Sequence, residues 1–584
     1  MSTLPVLPPP SAAVGEQPPA ARGDRAAARP PAPRRRPTGA GRLLLFLGEA
    51  ALIAGAVATF LLLATHQLHL PGLYYDEAAD AVPAMQLVLG QPVELSRGAG
   101  VEAFGRVWPL MVMEYVGAVS TYAIVPMILW LGVTPEAVRA APIAGGVLTL
   151  LLSWGMLRAA FGPVVAVIGV WLVAIHPSFV FWTRQGIHVS SLMTVCSVAA
   201  TWLGVGWWRG GGSWRLVPAA FLLGLGVSIK LLFVWYLAAL VVAALVLRPP
   251  VLSRRPLVRW RDLPALLVSV PAFLLGASLI ILYNIQTQGT IDVLTQNALT
   301  TSYGVDNRAF GQNLLTRLDA LFVYLRSEHF WYFGQQFLNP VYPTVFVAAL
   351  GALGLGLLVD PRARARWRQA AFLVVMITAI VVQSTVTVSG LGPTHFYLLY
   401  PLPQALIALA GVWLVGAGAR FGRAAGIAAV AVVVGALSLL VAFDLIADRD
   451  YHAALARTGG VANYSDSIYD LTDYLVEWKG HNPVAMDWGI AKSVQYLSRG
   501  EVNPPELFGY TGATPPPNWH DWLLQYIEDP WTLYVFHDEK FTVFPRWEQF
   551  AAAAAAHDRK IRPELYIQQR DERIIFVLFT LRPR

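Results

Sequence analysis

Long apolar runs separated by short basic loops dominate the chain. One run extends from Leu43 to about Leu63, and others lie near 109–131, 140–157, 163–181, 191–208, 216–247, 263–283, 341–359, 370–388, 396–417 and 424–446. A helix needs roughly 20 apolar residues to cross about 30 Å of hydrocarbon, and most of these runs approach that length. Between them sit Arg158, Arg209 with Arg215, Arg248 through Arg261, Arg362 through Arg368, and Arg420 with Arg423. Basic loops gather on the cytoplasmic side of a membrane, so an even number of crossings must separate consecutive ones. That parity splits 216–247, interrupted by Lys230, into two short helices meeting near Lys230 on the outer side. It also makes 109–131, with Glu114, Gly117 and Pro126, a juxtamembrane or re-entrant segment on the outer face. The expected architecture is mainly α: a polytopic bundle of about 11 spans with outer juxtamembrane helices, N-terminus inside.

The two ends of the chain read differently. Residues 1–41 are rich in Pro, Ala and Arg with almost no large apolar side chains, which predicts a disordered basic cytoplasmic tail. Its Arg34-Arg35-Arg36 helps to orient the first span, which is long enough to remain as an uncleaved anchor. Residues 42–446 form the transmembrane domain. Residues 447–584 predict a small extracytoplasmic α/β domain: helices at 464–478 and 488–498, strands at 483–486 and 532–537, and an Ala-rich helix opened by Pro545. Alternating strands at 565–569 and 574–579 bracket a turn at Arg570-Asp571-Glu572. Three outward regions, 64–139, 284–340 and 447–584, are then too long to be connectors alone.

Composition narrows the class. Charged residues make up 14% of the 584, against about 25% in soluble chains. Mean hydropathy is +0.51, so lipid solvates most of the surface. The net charge of +7 lies in clusters between apolar runs, which excludes a nucleic-acid stripe. The only cysteine, Cys196, lies in an apolar run and reads as a small buried residue.

The first outer loop begins Leu70-Pro71-Gly72-Leu73-Tyr74-Tyr75-Asp76-Glu77. Adjacent helical positions diverge by about 100°, so Asp76 and Glu77 cannot both face one substrate; one serves the reaction while the other binds or orients. A carboxylate near hydrocarbon is a stronger base than one in water, although acidic residues also simply favour a helix start. Arg184, in Trp182-Thr183-Arg184-Gln185-Gly186-Ile187-His188, is a phosphate-binding candidate or a snorkelling side chain. Lys230 is an ionisable group at membrane depth, functional by default unless it merely ends a short helix. Tyr75, His188, His395 and Tyr397 are candidate substrate contacts, with an aromatic belt as the alternative for the tyrosines. No cofactor is required by the sequence. A divalent metal stays open, because Asp76, Glu77, His188 and His395 could converge, yet no local spacing demands one. His176, before Pro177, reads as structural.

On these residues the chain resembles the GT-C superfamily of polyprenyl-phosphate-sugar-dependent glycosyltransferases. Within it, the likeness is to the branch of protein O-mannosyltransferases and lipid A aminoarabinose transferases. The resemblance runs from about 43 to 446 and rests on the Asp76-Glu77 loop, on Pro177 preceding Arg184, on Gly224 through Lys230, and on His395–Pro403. It implies an inverting transfer from a lipid-linked donor to an acceptor hydroxyl. Asp76 would be the base, with Arg184 and Lys230 on the departing phosphate. The acceptor would be a protein, a glycolipid or a polysaccharide, covered by the 284–340 loop. Many relatives carry an acidic residue shortly after the arginine; Gln185 to Ser191 contains none, so that second carboxylate role is not carried over.

Two other classes fit the same pattern less well. A transporter or lipid-handling protein would need the cations but not the base, and polar residues along a path through the bundle. A non-catalytic assembly subunit would use only the C-terminal domain. The ionisable residues gather at one face, which favours an enzyme at the interface. The Ala-, Gly-, Pro- and Arg-rich composition points to a bacterial plasma membrane, with the site on its outer face.

Overall fold

The computed structural model describes residues 39–185, 190–247, 260–390, 392–478 and 480–583. The tail up to residue 38, His188 and most of the basic loop 248–261 lie outside the described residues. The chain divides into two units: Met1–Gly48, whose described part is the start of the first helix, and Glu49–Arg584, which holds every other element.

The first helix, α1 (Gly39–Thr65), leads through a buried loop into α2 (Tyr75–Leu89). Two short antiparallel pairs follow, β1 (Gly100–Ala103) with β2 (Arg106–Pro109) and β3 (Met111–Met113) with β4 (Val116–Gly117). Then come α3 (Val119–Leu131), α4 (Pro135–Phe161), α5 (Pro163–Ala174), α6 (Pro177–Arg184), α7 (Ser190–Trp208), α8 (Leu216–Ile229) and α9 (Val234–Leu247). The second half of the bundle contains α10 (Leu263–Gly276), α11 (Ser278–Thr287), α12 (Gly289–Gln296), α13 (Phe310–Arg326), α14 (Tyr342–Val359), α15 (Pro361–Ala365), α16 (Trp367–Gln383), α17 (Leu402–Gly418) and α18 (Arg423–Thr458).

Among the described residues, α1, α4, α7, α14 and α18 are each long and apolar enough to cross a membrane. Three further candidates are bent pairs. Helices α5 and α6 meet at 58°, α10 and α11 at 58°, and the 3-10 turn Pro393–Leu399 meets α17 at 54°. Helices α8, α9, α16 and α3 are apolar but shorter. The chain is a multi-pass membrane protein. The 216–247 run breaks where the sequence places the break: Lys230 has extended backbone (φ −153°, ψ 132°) between α8 and a 3-10 turn that opens α9. The 109–131 segment is only partly helical. Its first part makes the small β3–β4 pair, because Gly117 and the β-branched and Met residues around it suit a tight ribbon. The 13-residue α3 that follows is too short to span.

Helix α18 runs without a break past residue 446, so its last turns carry the chain directly into the C-terminal domain. There α19 (Ser467–Glu477), α20 (Ala491–Leu497), α21 (Trp519–Ile527) and α22 (Trp547–Ala556) cover a four-stranded sheet of β5 (Asn482–Ala485), β6 (Thr532–His537), β7 (Arg559–Gln568) and β8 (Ile574–Pro583). The strand order is β5-β6-β8-β7; β5 and β6 are parallel and the other pairs antiparallel. Alternate residues of β6 feed two cores. Leu533 and Val535 pack with Leu471 and Val494, whereas Tyr534 and Phe536 pack with Leu523 and Phe550. Strand β7 starts six residues before the sequence pattern places it. As the outer strand, it tolerates Arg559, Lys560, Arg562 and Pro563, residues that hide a strand from a search for apolar alternation.

Candidate functional site

The loop between α1 and α2 is held in place from three directions. From 70 to 75 every residue is buried. Gly72 must be glycine: a Cβ there would lie 2.1 Å from the Ser465 carbonyl oxygen. Its amide donates to Tyr464 O at 2.9 Å, which seats the loop on the C-terminal domain. Tyr74 stacks on Tyr464 (4.1 Å between ring centroids), and Tyr464 stacks in turn on Tyr332 at 4.1 Å.

Arg139, at the start of α4, makes the second attachment. Its guanidinium is fully buried and donates from Nε to Glu77 Oε2 at 2.8 Å and from Nη2 to Glu77 Oε1 at 3.1 Å. The same group donates to the carbonyls of Leu68 (2.7 Å) and Pro71 (3.0 Å). Burial pushes the Glu77 carboxyl up, and the Arg139 guanidinium opposes that shift. Glu77 is therefore committed to holding the loop. Asp76, its neighbour, is half-buried and points elsewhere, as the helical offset requires. Burial, followed by the Asp76 charge, pushes the Tyr74 hydroxyl well up; it keeps its proton and donates to Asp76.

Arg184 is the third attachment. It is fully buried at the end of α6 and donates from Nη2 to Gln67 O (2.6 Å) and Leu70 O (3.0 Å). Among the described residues its Nε and Nη1 are without partners. Gln185 accepts from the Tyr332 hydroxyl at 2.7 Å.

Lys230 arrives from the opposite side. The ribbon strand β4 bridges it through Val116, and Leu231 N donates to Tyr115 O at 3.0 Å. Gly117 permits this contact, since a Cβ there would lie 1.9 Å from Ser228 O. The Lys230 ammonium interacts electrostatically with the carboxylates of Asp76 and Asp80. Asp76, Lys230, Arg184 and Glu77 therefore do converge around one loop.

The other candidates lie apart or are engaged. The Tyr75 hydroxyl donates to Glu506 Oε1 (2.8 Å) and bonds Tyr510 (2.9 Å), tying α2 to the C-terminal domain. His395 bonds Ser389 Oγ (3.3 Å) and Gly392 O (3.0 Å). Tyr397 is buried against Phe179, with its hydroxyl on Thr183. His176 is fully buried, with Nδ1 on the Tyr400 hydroxyl at 2.9 Å, a structural setting. Among the described residues no three His, Cys, Asp or Glu side chains form a group that could hold a metal ion.

Sequence reasoning missed Arg139, Tyr464 and Glu506. Arg139 had a usable signal: it is an arginine at the end of an apolar run away from the basic loops, as Arg184 is. The others act through long-range packing and left no local sign.

Beyond the tyrosine stack lies a cleft of 570 Å3 lined by Trp182, Arg326, Glu328, His329, Trp331, Tyr332, Thr394 and Tyr464. Arg326 and Glu328 pair across 2.6 Å on its wall. Asp306 and Arg308 pair with each other at 2.9 Å and do not line it.

Residues 117–276 match the family model described as dolichyl-phosphate-mannose-protein mannosyltransferase. The structure is similar to ArnT from Cupriavidus metallidurans bound to undecaprenyl phosphate, with a TM-score of 0.55 over 93% of this chain and 98% of that one, at 14% identity. The apo state of the same protein gives 0.56 over the same shares at 14% identity. The fold is that of the GT-C superfamily. A second GT-C structure, the oligosaccharyltransferase AglB from Archaeoglobus fulgidus with an inhibitory peptide and a dolichol-phosphate, superposes with a TM-score of 0.51 at 13% identity. It covers 85% of this chain and 70% of its own. No curated protein sequence matches the chain. The stretch matched by the family model includes Arg139, Arg184 and Lys230 and does not reach Asp76.

Proposed function

We propose that the chain is a membrane glycosyltransferase that moves a sugar from a polyprenyl-phosphate donor to an acceptor hydroxyl at the outer face of a bacterial plasma membrane. The observation that carries this reading is the division of labour in the 66–77 loop. Glu77 is locked to a buried arginine, while Asp76 stays half-open beside Lys230. The named ligands of the similar structures support it: ArnT is bound to undecaprenyl phosphate and AglB to a dolichol-phosphate.

Asp76 takes the proton of the acceptor hydroxyl as that oxygen bonds to the anomeric carbon. The bond from that carbon to the phosphate oxygen breaks, and its electron pair leaves with the polyprenyl phosphate. Attack opposite the leaving group inverts the centre. Lys230 meets the charge that grows on the phosphate, where a fixed cation in a water-poor site is worth more than in solution. The two unpartnered donors of Arg184 add to it once the 66–72 loop or its own turn shifts to admit the phosphate. Tyr74, donating to Asp76, orients the base. The aromatic cleft across the Tyr74–Tyr464–Tyr332 stack suits a sugar-bearing acceptor, since flat rings pack on sugar faces while Arg326, Glu328 and His329 offer hydrogen bonds.

The test is sugar transfer in membranes from radiolabelled polyprenyl-phosphate sugars, wild type against Asp76→Asn at matched expression. Loss of a general base costs about 10² to 10⁴ in rate, so product should fall by that factor while folding persists. An Asp76→Asn protein with full activity would remove the base. Binding of polyprenyl phosphate with no transfer of any sugar tried would turn the reading toward a carrier.

A further inference from the structure

The bundle contains a second cavity, at the end opposite the site. It measures 330 Å3, and its walls include Gly204, Leu223, Leu240 and Phe372, with Arg209 and Arg368 at the rim. The helices that line it are the ones that reach the site at their other ends. Helix α4 begins beside Arg139, α8 ends at Lys230, and the Gln383 side chain at the end of α16 donates to Trp235 O at 3.2 Å. Helix α7, with 19 residues, runs about 28 Å at 1.5 Å per residue, close to the hydrocarbon thickness of a bilayer. The cavity therefore opens at the level of the basic loops, at the ends of α8 and α9 away from Lys230.

Its chemistry is that of a lipid seat. The walls are apolar, and no carboxylate is among the lining residues. Arg209 is exposed, and Arg368 is half-buried with a buried Nε that has no partner among the described residues. Among the described residues neither arginine forms an ion pair. We infer that this cavity holds an acyl chain of an anionic phospholipid, its phosphate between Arg209 and Arg368. A zwitterionic head brings its own ammonium against two guanidinium groups; an anionic one does not. The volume, at the small end of the range of about 300–1,000 Å3 for ligand cavities, fits part of one acyl chain better than a long prenyl chain. A lipid seated there bridges α4, α7, α8, α9 and α16 on the side away from the chemistry.

Gly204 supplies the plug for a test, because a Cβ there meets nothing within 4 Å. The purified full chain is stripped of lipid, offered phosphatidylglycerol, phosphatidylcholine, polyprenyl phosphate or inorganic phosphate, and assayed for retained lipid by native mass spectrometry and for thermal stability. Wild type should retain phosphatidylglycerol over phosphatidylcholine. Removing Arg209 or Arg368 (to Gln) should cut that retention about fivefold each, equivalent to about 1 kcal/mol per basic residue at an anionic surface. Gly204→Leu should abolish the preference while leaving sugar transfer intact. Equal retention of the two phospholipids overturns the inference, and this arm needs no variant to fold. So does phosphatidylglycerol binding that survives Gly204→Leu, preferential capture of polyprenyl phosphate, or equal stabilisation by inorganic phosphate.

Discussion

Arg139 and Arg184 flank the same loop, both fully buried, and they are satisfied to different degrees. Arg139 has a carboxylate and backbone carbonyls around it, so its charge is neutralised where it lies. Arg184 has two carbonyls and no carboxylate bonded to it, and two of its three nitrogens have no partner among the described residues. A buried charge is tolerated when it is paired and expensive when it is not. The first arginine is thus a finished piece of structure. The second is buried with its charge unpaired by any bonded carboxylate among the described residues, and the contrast gives each a different response to mutation.

The sharpest way to break the comparison is Glu77→Ala. It strands the Arg139 guanidinium in the interior, and breaking a buried pair costs about 3–5 kcal/mol. The loop 68–72, pinned by the same guanidinium, should loosen with it. Thermal or denaturant unfolding in detergent should show this loss directly, and transfer should fail along with stability. A stability change under about 1 kcal/mol would mean that Glu77 is a reacting group, not a fastening, since a surface-like pair is worth no more than that.

Arg184→Gln tests the other flank and should behave in the opposite way. It gives up two carbonyl hydrogen bonds, each worth about 1 kcal/mol net, but also removes a charge with no bonded carboxylate. Stability should stay within about 1 kcal/mol of wild type, while donor use weakens, read as a raised KM for the polyprenyl-phosphate sugar. A loss as large as that of Glu77→Ala would make Arg184 a second structural clamp.

This contrast explains what the sequence could and could not convey. The apolar helices were legible because each follows a long apolar run between basic loops, and the break at Lys230 followed from charge parity; of the 11 expected spans, five helices among the described residues are long and apolar enough to cross, or eight if each bent pair is one span. The Asp76-Glu77 pair stood out in the sequence, and the 100° offset required the two carboxylates to point apart. Which took which role was not legible, because it depends on Arg139, some 60 positions away in sequence. The same holds for Tyr75. Its neighbourhood reads as a substrate contact, yet Glu506 and Tyr510 occupy its hydroxyl from the far end of the chain. Strand β7 escaped notice because charged residues on an outer strand mask its alternation.

The smallest expected effect lies where the C-terminal domain meets the end of α2. Lys492 Nζ and Gln495 Nε2 both bond the Glu94 carboxylate, and Glu94 N donates to Gln86 Oε1 at 2.8 Å. Burial pushes the Glu94 carboxyl up, but Lys492, Gln495 and Gln86 together outweigh it and hold the group below its usual value. A carboxyl lowered by folding contributes stability above its unfolded pKa, and that contribution fades as pH falls through the folded value. The pair is partly open to solvent, so screening limits it to less than about 1 kcal/mol. Glu94→Gln should therefore unfold slightly earlier than wild type at pH 7, and the two should converge in acid below the ordinary glutamate range. Hydrogen exchange in α20 at neutral pH should rise in the variant, as the clasp on that helix loosens. A difference that persisted undiminished in acid would assign the effect to the shape of the side chain, and the charge of Glu94 would then have no part in docking the domain on the site loop.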